Sequence, residues 1–253
     1  MRPGMHRIVV NDYDDLSRSG ADQIADLIAT KPTANLLLAT GNTPMGIYED
    51  LVRRRHAGTL DASSIRVFQL DEYLGLGPDD RRSLFGWTTR SFVKPLGVPG
   101  SNVFAILNGS DDPEAACRSY ERKIETAGGI DLAILGLGPN GHLGFNEPPS
   151  GPDLPTRAVD LTPESIESNA GYWGGPDHVP RRAVTVGMKT LLAARRILLV
   201  VSGTHKRGIL KRTVAYPPTP DVPASFLQHA ADVTVLADRE AWGDAAGRVD
   251  TRS

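Results

Sequence analysis

Residues 131–149 read DLAILGLGPNGHLGFNEPP, and this stretch decides the fold. It opens on an apolar run, Leu132, Ala133, Ile134 and Leu135, with the length of a strand buried in a parallel sheet. Gly136, Gly138 and Gly141 then permit sharp turns and close backbone approach to a ligand. Into that turn fall one imidazole, His142, one carboxylate, Glu147, and two amides, Asn140 and Asn146. Pro148 and Pro149 prevent a helix from starting there. Ligand sites in open α/β sheets lie at the carboxyl ends of strands. The stretch therefore predicts an active-site loop, and the ordinary alternative, a satisfied core histidine, suits a glycine-rich loop poorly.

The spacing Gly136-x-Gly138-x-x-Gly141 matches the dinucleotide fingerprint. That fingerprint needs a helix directly after it, so that the helix N-terminus faces a pyrophosphate. Phe145-Asn146-Glu147-Pro148-Pro149 cannot form such a first turn. Nicotinamide and flavin binding are set aside on this ground, and no cofactor is expected.

Working outward, strands and helices alternate. Strands are expected at residues 7–10, 35–40, 65–70, 196–201 and 232–236, with helices at 14–29, 44–57, 83–93 and 112–127. This alternation predicts an α/β fold: a doubly wound, mostly parallel, Rossmann-like sheet with helices on both faces. No repeat or linker divides the chain, so residues 1–253 are read as a single domain. Residues 151–180 are rich in Pro, Gly and Ser, the composition of a lid or binding loop.

Three more strand ends carry polar groups. Thr40-Gly41-Asn42-Thr43-Pro44 follows one strand, with Pro44 suited to the first helical position and Thr43 to the N-cap. Such a unit aims N–H groups and a helix dipole at an anion, most plainly a phosphate, although an ordinary capped helix would read the same. Asp71-Glu72-Tyr73 follows the next strand; adjacent acids project differently, so at most one faces a site. Ser202-Gly203-Thr204-His205-Lys206 follows a third and begins the next helix.

Composition bounds the function. The 253 residues are 40% hydrophobic, enough for a sizeable core, and carry a net charge of -2, which excludes a broad basic field for nucleic acid. No apolar run approaches the roughly 20 residues of a membrane span, and the first six residues lack a signal core. A lone cysteine, Cys117, allows no intrachain disulfide and reads as a packing residue. The cytoplasm is the expected compartment. Asn108-Gly109-Ser110 is formally a glycosylation sequon but reads as a turn.

Together, Thr40-Gly41-Asn42-Thr43-Pro44, Leu70-Asp71-Glu72-Tyr73, residues 140–148 (NGHLGFNEP) and Ser202-Gly203-Thr204-His205-Lys206 resemble the glucosamine-6-phosphate deaminase/isomerase family, which is related in fold to 6-phosphogluconolactonases. The resemblance runs from about residue 35 to about residue 238. It implies an enzyme that converts an amino-sugar phosphate and water to fructose 6-phosphate and ammonia, with no metal. It implies that Asp71 is the base at C2, that His142 moves the ring-opening proton, and that Glu147 holds or polarises His142. Asn140 stands where members carry Asp or Asn and would orient His142. Thr40, Gly41, Asn42, Thr43 and Lys206 match substrate-binding positions for the phosphate.

This chain departs from the family at two places. Gly171 falls where other members have a lid Arg, and Val159 where allosterically activated members have a Lys; Arg157 and Ser150 match. Lys206 is then expected to be the dominant cation on the phosphate, with Arg157 or Arg207 as substitutes. Partners are expected to be a small sugar phosphate alone, with no nucleic acid or membrane; a homo-oligomer is left open. The alternatives are a galactosamine-6-phosphate deaminase, a 6-phosphogluconolactonase and a non-catalytic sugar-phosphate-sensing domain. A lactonase is expected to follow Asp-Gly-His with Ala-Ser, and a sensor needs no base.

Overall fold

The computed structural model describes residues 4–76, 80–107 and 111–243; the Asn108-Gly109-Ser110 sequon lies outside them. The first half of the chain runs β1 (Met5–Val10), α1 (Tyr13–Thr30), β2 (Asn35–Leu38), α2 (Met45–His56), β3 (Arg66–Gln69), β4 (Asp71–Tyr73), α3 (Leu84–Thr88), α4 (Lys94–Leu96), β5 (Val103–Phe104) and α5 (Pro113–Thr126). The second half runs β6 (Leu132–Gly136), β7 (Arg157–Asp160), α6 (Pro163–Trp173), β8 (Arg182–Thr185), α7 (Met188–Leu192), β9 (Arg196–Val201), α8 (Arg207–Ala215), β10 (Val233–Asp238) and α9 (Arg239–Trp242).

Seven strands form one parallel sheet in the order β1-β10-β9-β6-β2-β3-β5. Its central strands are apolar on both faces, as a sheet covered on both sides requires. Side chains of a strand alternate between faces, and the core divides accordingly. Leu37, Ala133, Leu135 and Leu199 pack with Tyr120 and Ile124 of α5 and Ile209 of α8. Leu36, Leu38, Ile134 and Leu198 pack on the opposite face with Leu16 and Ile24 of α1 and Ile47 and Leu51 of α2. The doubly wound sheet expected from the sequence is what the chain forms.

The direction of winding reverses between β2 and β6. From β2 the chain steps outward through β3 to β5, then returns to β6 and steps the other way through β9 and β10. Ligand sites in such sheets form at this reversal, and it falls beside the residue 131–149 stretch.

A second sheet was not expected. β4, β8 and β7 pair antiparallel, with Asp71 opposite Thr185 and Arg157 opposite the same threonine on the other side. A third apolar cluster, with Tyr73, Phe145, Ile166 and Trp173, packs this sheet and α6 together. The segment 151–180 is therefore no structureless loop: it holds β7 and α6, the latter capped by Thr162, whose hydroxyl accepts the Ser165 N–H at 3.2 Å. Pro163 sits in its first turn, where a missing N–H costs nothing.

Other expectations shift by a residue or two at element ends. The tail after Arg239 opens with the short α9, whose Ala241 is buried. Cys117 packs in the core, and burial pushes its thiol up to about 11, as an inert packing residue would have it.

Candidate active site

Four strand ends converge on one cavity of about 250 Å3. Its wall includes Thr40, Gly41, Asn42 and Thr43 after β2, Asp71 of β4, His142 after β6 and Lys206 after β9. Ser168, Asn169 and Tyr172 of α6 close one side. Every substrate-binding residue expected from the sequence reaches this wall. Asn140 and Glu147 do not: they stand behind His142.

The loop after β6 contains no helix, so the Gly136-x-Gly138-x-x-Gly141 spacing is not followed by the helix N-terminus that the fingerprint requires. It is pinned instead by polar bonds. Asn146 donates to the carbonyls of Leu143 and Val186 at 2.9 and 2.8 Å and accepts from Arg157 Nη1 at 2.8 Å. Gly141 adopts φ +87, a conformation that favours glycine, with Val222 packed against it. Gly138 serves differently: a Cβ there would lie 2.1–2.4 Å from three atoms of the His142 ring. The imidazole thus lies flush against the glycine backbone, which sets its place in the wall.

His142 Nδ1 stands 2.9 Å from Glu147 Oε1, close but off the line of a straight N–H···O bond, since that nitrogen makes no well-directed hydrogen bond among the described residues. Glu147 also accepts from Asn140 Nδ2 at 2.7 Å and from the Ser165 hydroxyl. Burial alone would raise the Glu147 carboxyl; His142, Ser165 and Asn140 together outweigh it and hold the carboxyl below its ordinary value. Asn140 was expected to orient His142, and its contacts reach that residue by two routes: its amide donates to Glu147, which backs the imidazole, and its Oδ1 accepts the His142 main-chain N–H at 3.2 Å.

Of the two adjacent acids, Asp71 faces the cavity and Glu72 does not. Glu72 is consumed by the fold: it accepts from Gln69 Nε2 and from the N–H groups of Tyr73, Leu84 and Phe85 at 2.9–3.0 Å. Asp71 is 7% exposed and its Oδ1 has no hydrogen-bond partner among the described residues. Burial, and secondarily the charge of Glu72, pushes its carboxyl up to about 8. A carboxyl so held is a strong base once ionised, placed where a proton can reach it.

At the other end, Thr43 is not the N-cap of α2. Pro44 takes that position without a side-chain cap, and the Tyr13 hydroxyl accepts from Gly46 N at 2.9 Å. The N–H groups of residues 40–43 donate to no carbonyl among the described residues, which leaves this loop able to receive an anion. Lys206 Nζ is anchored to the Leu137 carbonyl at 2.7 Å, and burial lowers its pKa from the ordinary lysine value. The expected substitutes are engaged elsewhere: Arg157 on Asn146, and Arg207 Nε on the Glu240 carbonyl at 2.7 Å. Gly171 leaves open space at its position. A second cleft, of about 210 Å3, shares Thr40, Gly41 and Tyr172 with the main cavity and brings Arg81 and Arg82 to its wall.

Sequence reasoning missed Ser165 and the α6 wall. Their signal, Thr162-Pro163 as a helix start, was hidden among the prolines and glycines of 151–180. Among the described residues no cluster of three or more His, Cys, Asp or Glu could hold a metal ion, and no helix is long and apolar enough to cross a membrane.

Fold and site define an α/β protein with an acid–base pocket at the reversal of a parallel sheet. Residues 12–236 match the family described as glucosamine-6-phosphate isomerases/6-phosphogluconolactonase, and the chain belongs to that family. It is 41% identical over 237 residues to the glucosamine-6-phosphate deaminase of Halothermothrix orenii, covering 94% of this chain and 98% of that one. The deaminase of Thermoanaerobacter pseudethanolicus is 40% identical over 238 residues, with 94% of each chain covered. Among solved structures, a monomeric glucosamine-6-phosphate deaminase superposes with a TM-score of 0.91 at 39% identity, over 94% of this chain and 98% of that one. A 6-phosphogluconolactonase from Trypanosoma cruzi reaches 0.77 at 20% identity, over 97% and 98%, a likeness of fold alone.

Proposed function

We propose that this chain is a glucosamine-6-phosphate deaminase, converting glucosamine 6-phosphate and water to fructose 6-phosphate and ammonia. The observation that carries the reading is Asp71: a buried carboxyl with an oxygen unpartnered among the described residues, on the wall of the same cavity as an imidazole backed by a carboxylate. A domain that only sensed a sugar phosphate has no use for a buried base left without a partner.

The phosphate sits against the N–H groups of residues 40–43, the Thr43 hydroxyl and Lys206. His142, held by Glu147, moves the proton from O1 to the ring oxygen and opens the pyranose. Asp71 then removes the proton on C2, α to the new aldehyde, and the proton is returned to C1. The C2 imine so formed hydrolyses to ketose and ammonia. Each step needs only proton transfers, which is what these side chains supply. Every residue invoked comes from one chain, so the reading needs no second copy; the structural relative at 39% identity is described as monomeric. A cytoplasmic setting fits a substrate of this kind.

The test is ammonia release from glucosamine 6-phosphate and galactosamine 6-phosphate, run beside hydrolysis of 6-phosphogluconolactone, with C2–H exchange followed in deuterated water. Release from the first and exchange lost in Asp71→Asn are expected. Turnover of the lactone alone, or no turnover at all, would sink the reading.

A further inference from the structure

The carboxylate behind His142 is held from two separate parts of the chain. Asn140 and His142 share a loop with Glu147, but Ser165 comes from the first turn of α6. It is 1% exposed, and its hydroxyl donates to the same Oε1 that faces the imidazole. Its carbonyl accepts from the Ser168 hydroxyl at 3.1 Å and the Asn169 side-chain amide at 2.8 Å, and both of these residues line the cavity. Tyr172, almost two turns beyond Ser165 on the same helix, lines it too. One residue is thus bonded to the carboxylate that backs the imidazole and to the wall that a bound sugar phosphate would touch.

We propose that Ser165 is a positioning residue for the proton-transfer step: it fixes the orientation of Glu147, and so of His142, and ties both to the seating of α6 against substrate. The inference rests on the deaminase reading of the site. Its physical basis is that the terminal torsion of a glutamate is broad and roughly two-fold, so a carboxylate needs donors on both oxygens to hold one orientation. Asn140 supplies the donor on Oε2. Oε1 is shared by Nδ1 and the Ser165 hydroxyl, and the Nδ1 contact is poorly directed. Without the hydroxyl, Oε1 loses its well-aimed donor, and with it a bond strengthened by the carboxylate's charge. The titratable group facing Glu147 is His142, from its own loop; α6 presents the neutral Ser165, and Asn140 is neutral as well.

The experiment compares wild type, Ser165→Ala and Ser165→Thr in kcat and KM for ammonia release from glucosamine 6-phosphate, from about pH 5 to about pH 9, with thermal unfolding alongside. Alanine is expected to lower kcat about tenfold or more while KM moves far less. This loss is expected at every pH in the range, because it comes from the orientation of Glu147 and His142 and not from the ionisation of Asp71. Threonine, which keeps the hydroxyl, is expected to restore kcat. A wild-type kcat in Ser165→Ala, with or without a lower Tm, would overturn the proposal, since a hydroxyl serving the fold alone leaves kcat in place. Should the alanine variant not fold, Ser165→Cys carries the same comparison, its thiol being a weak donor of similar shape; a wild-type kcat there would overturn the proposal equally. A wild type inactive on the substrate would mark failure of the deaminase reading, whereas an active wild type with an indifferent Ser165 marks failure of this inference alone.

Discussion

Replacing Asp71 by asparagine should stabilise the folded protein while removing its base, and the gain should depend on pH. Asp71 is 7% exposed, with one oxygen lacking a hydrogen bond among the described residues, and its carboxyl is raised from 3.8 to about 8, chiefly by burial. The unfolded chain therefore loses this proton near its ordinary value, while the folded chain keeps it to about 8. Below both values each state is protonated and the group has no effect. Between them the folded state binds one proton more, so stability falls as pH rises, by about 1.4 kcal/mol per pH unit.

Near pH 7 about three pH units of that interval have been crossed, a ceiling of about 4 kcal/mol. Asparagine does not titrate and escapes this loss. Its amide, however, leaves a buried donor without a partner, at a cost of about 1–3 kcal/mol. The expected outcome is a net gain of about 1–3 kcal/mol near pH 7 for Asp71→Asn. The gain should grow toward pH 8 and turn into a loss near pH 4. Urea unfolding of both proteins across that range measures the difference directly. A difference that stays flat with pH, or that shrinks as pH rises, would refute the view that Asp71 is an uncompensated buried carboxyl.

Two further perturbations address the two ends of the cavity. Lys206→Ala should raise KM at least about tenfold, equivalent to about 1.4 kcal/mol, and lower kcat less, because it removes a charge from the phosphate end; steady-state kinetics at fixed ionic strength would place the phosphate elsewhere if KM did not change. Gly138→Ala should lower kcat by about 100-fold or more, since its Cβ would lie 2.1–2.4 Å from the His142 ring and must displace it. Circular dichroism should show the fold retained, and a kcat within a few-fold of wild type would contradict the packing of the imidazole on this glycine.

Much of this protein was legible in the chain. The run of Leu132 to Leu135 is apolar at every position and closed by glycines, which suits a short strand covered on both faces. Once the sheet is parallel, its carboxyl edge is where loops gather, so Thr40 to Thr43, Asp71, His142 and Lys206 could be placed together before any contact was known. The glycines and prolines around His142 excluded a helix directly after β6, the element that a dinucleotide fingerprint needs, by local sterics alone. These inferences rest on properties of a residue and its immediate neighbours.

Other features belong to pairings over long stretches of chain. β4 and β7 are three and four residues long and have no signature of their own; they exist because β8 offers ladder partners to both. That pairing turns Asp71 to the cavity, while the N–H groups of Leu84 and Phe85, more than ten residues away, engage Glu72. Two adjacent carboxylates are equivalent in sequence and acquire opposite roles from what surrounds them. Tyr13 likewise takes over at the start of α2, across some thirty residues, where Thr43 had the better local credentials. Ser165 reaches Glu147 only because a third apolar cluster seats α6 against the second sheet. Secondary structure and loop chemistry follow from short-range sterics and periodicity. The partner of a buried polar group follows from which distant segments pack beside it, and tertiary structure alone decides that.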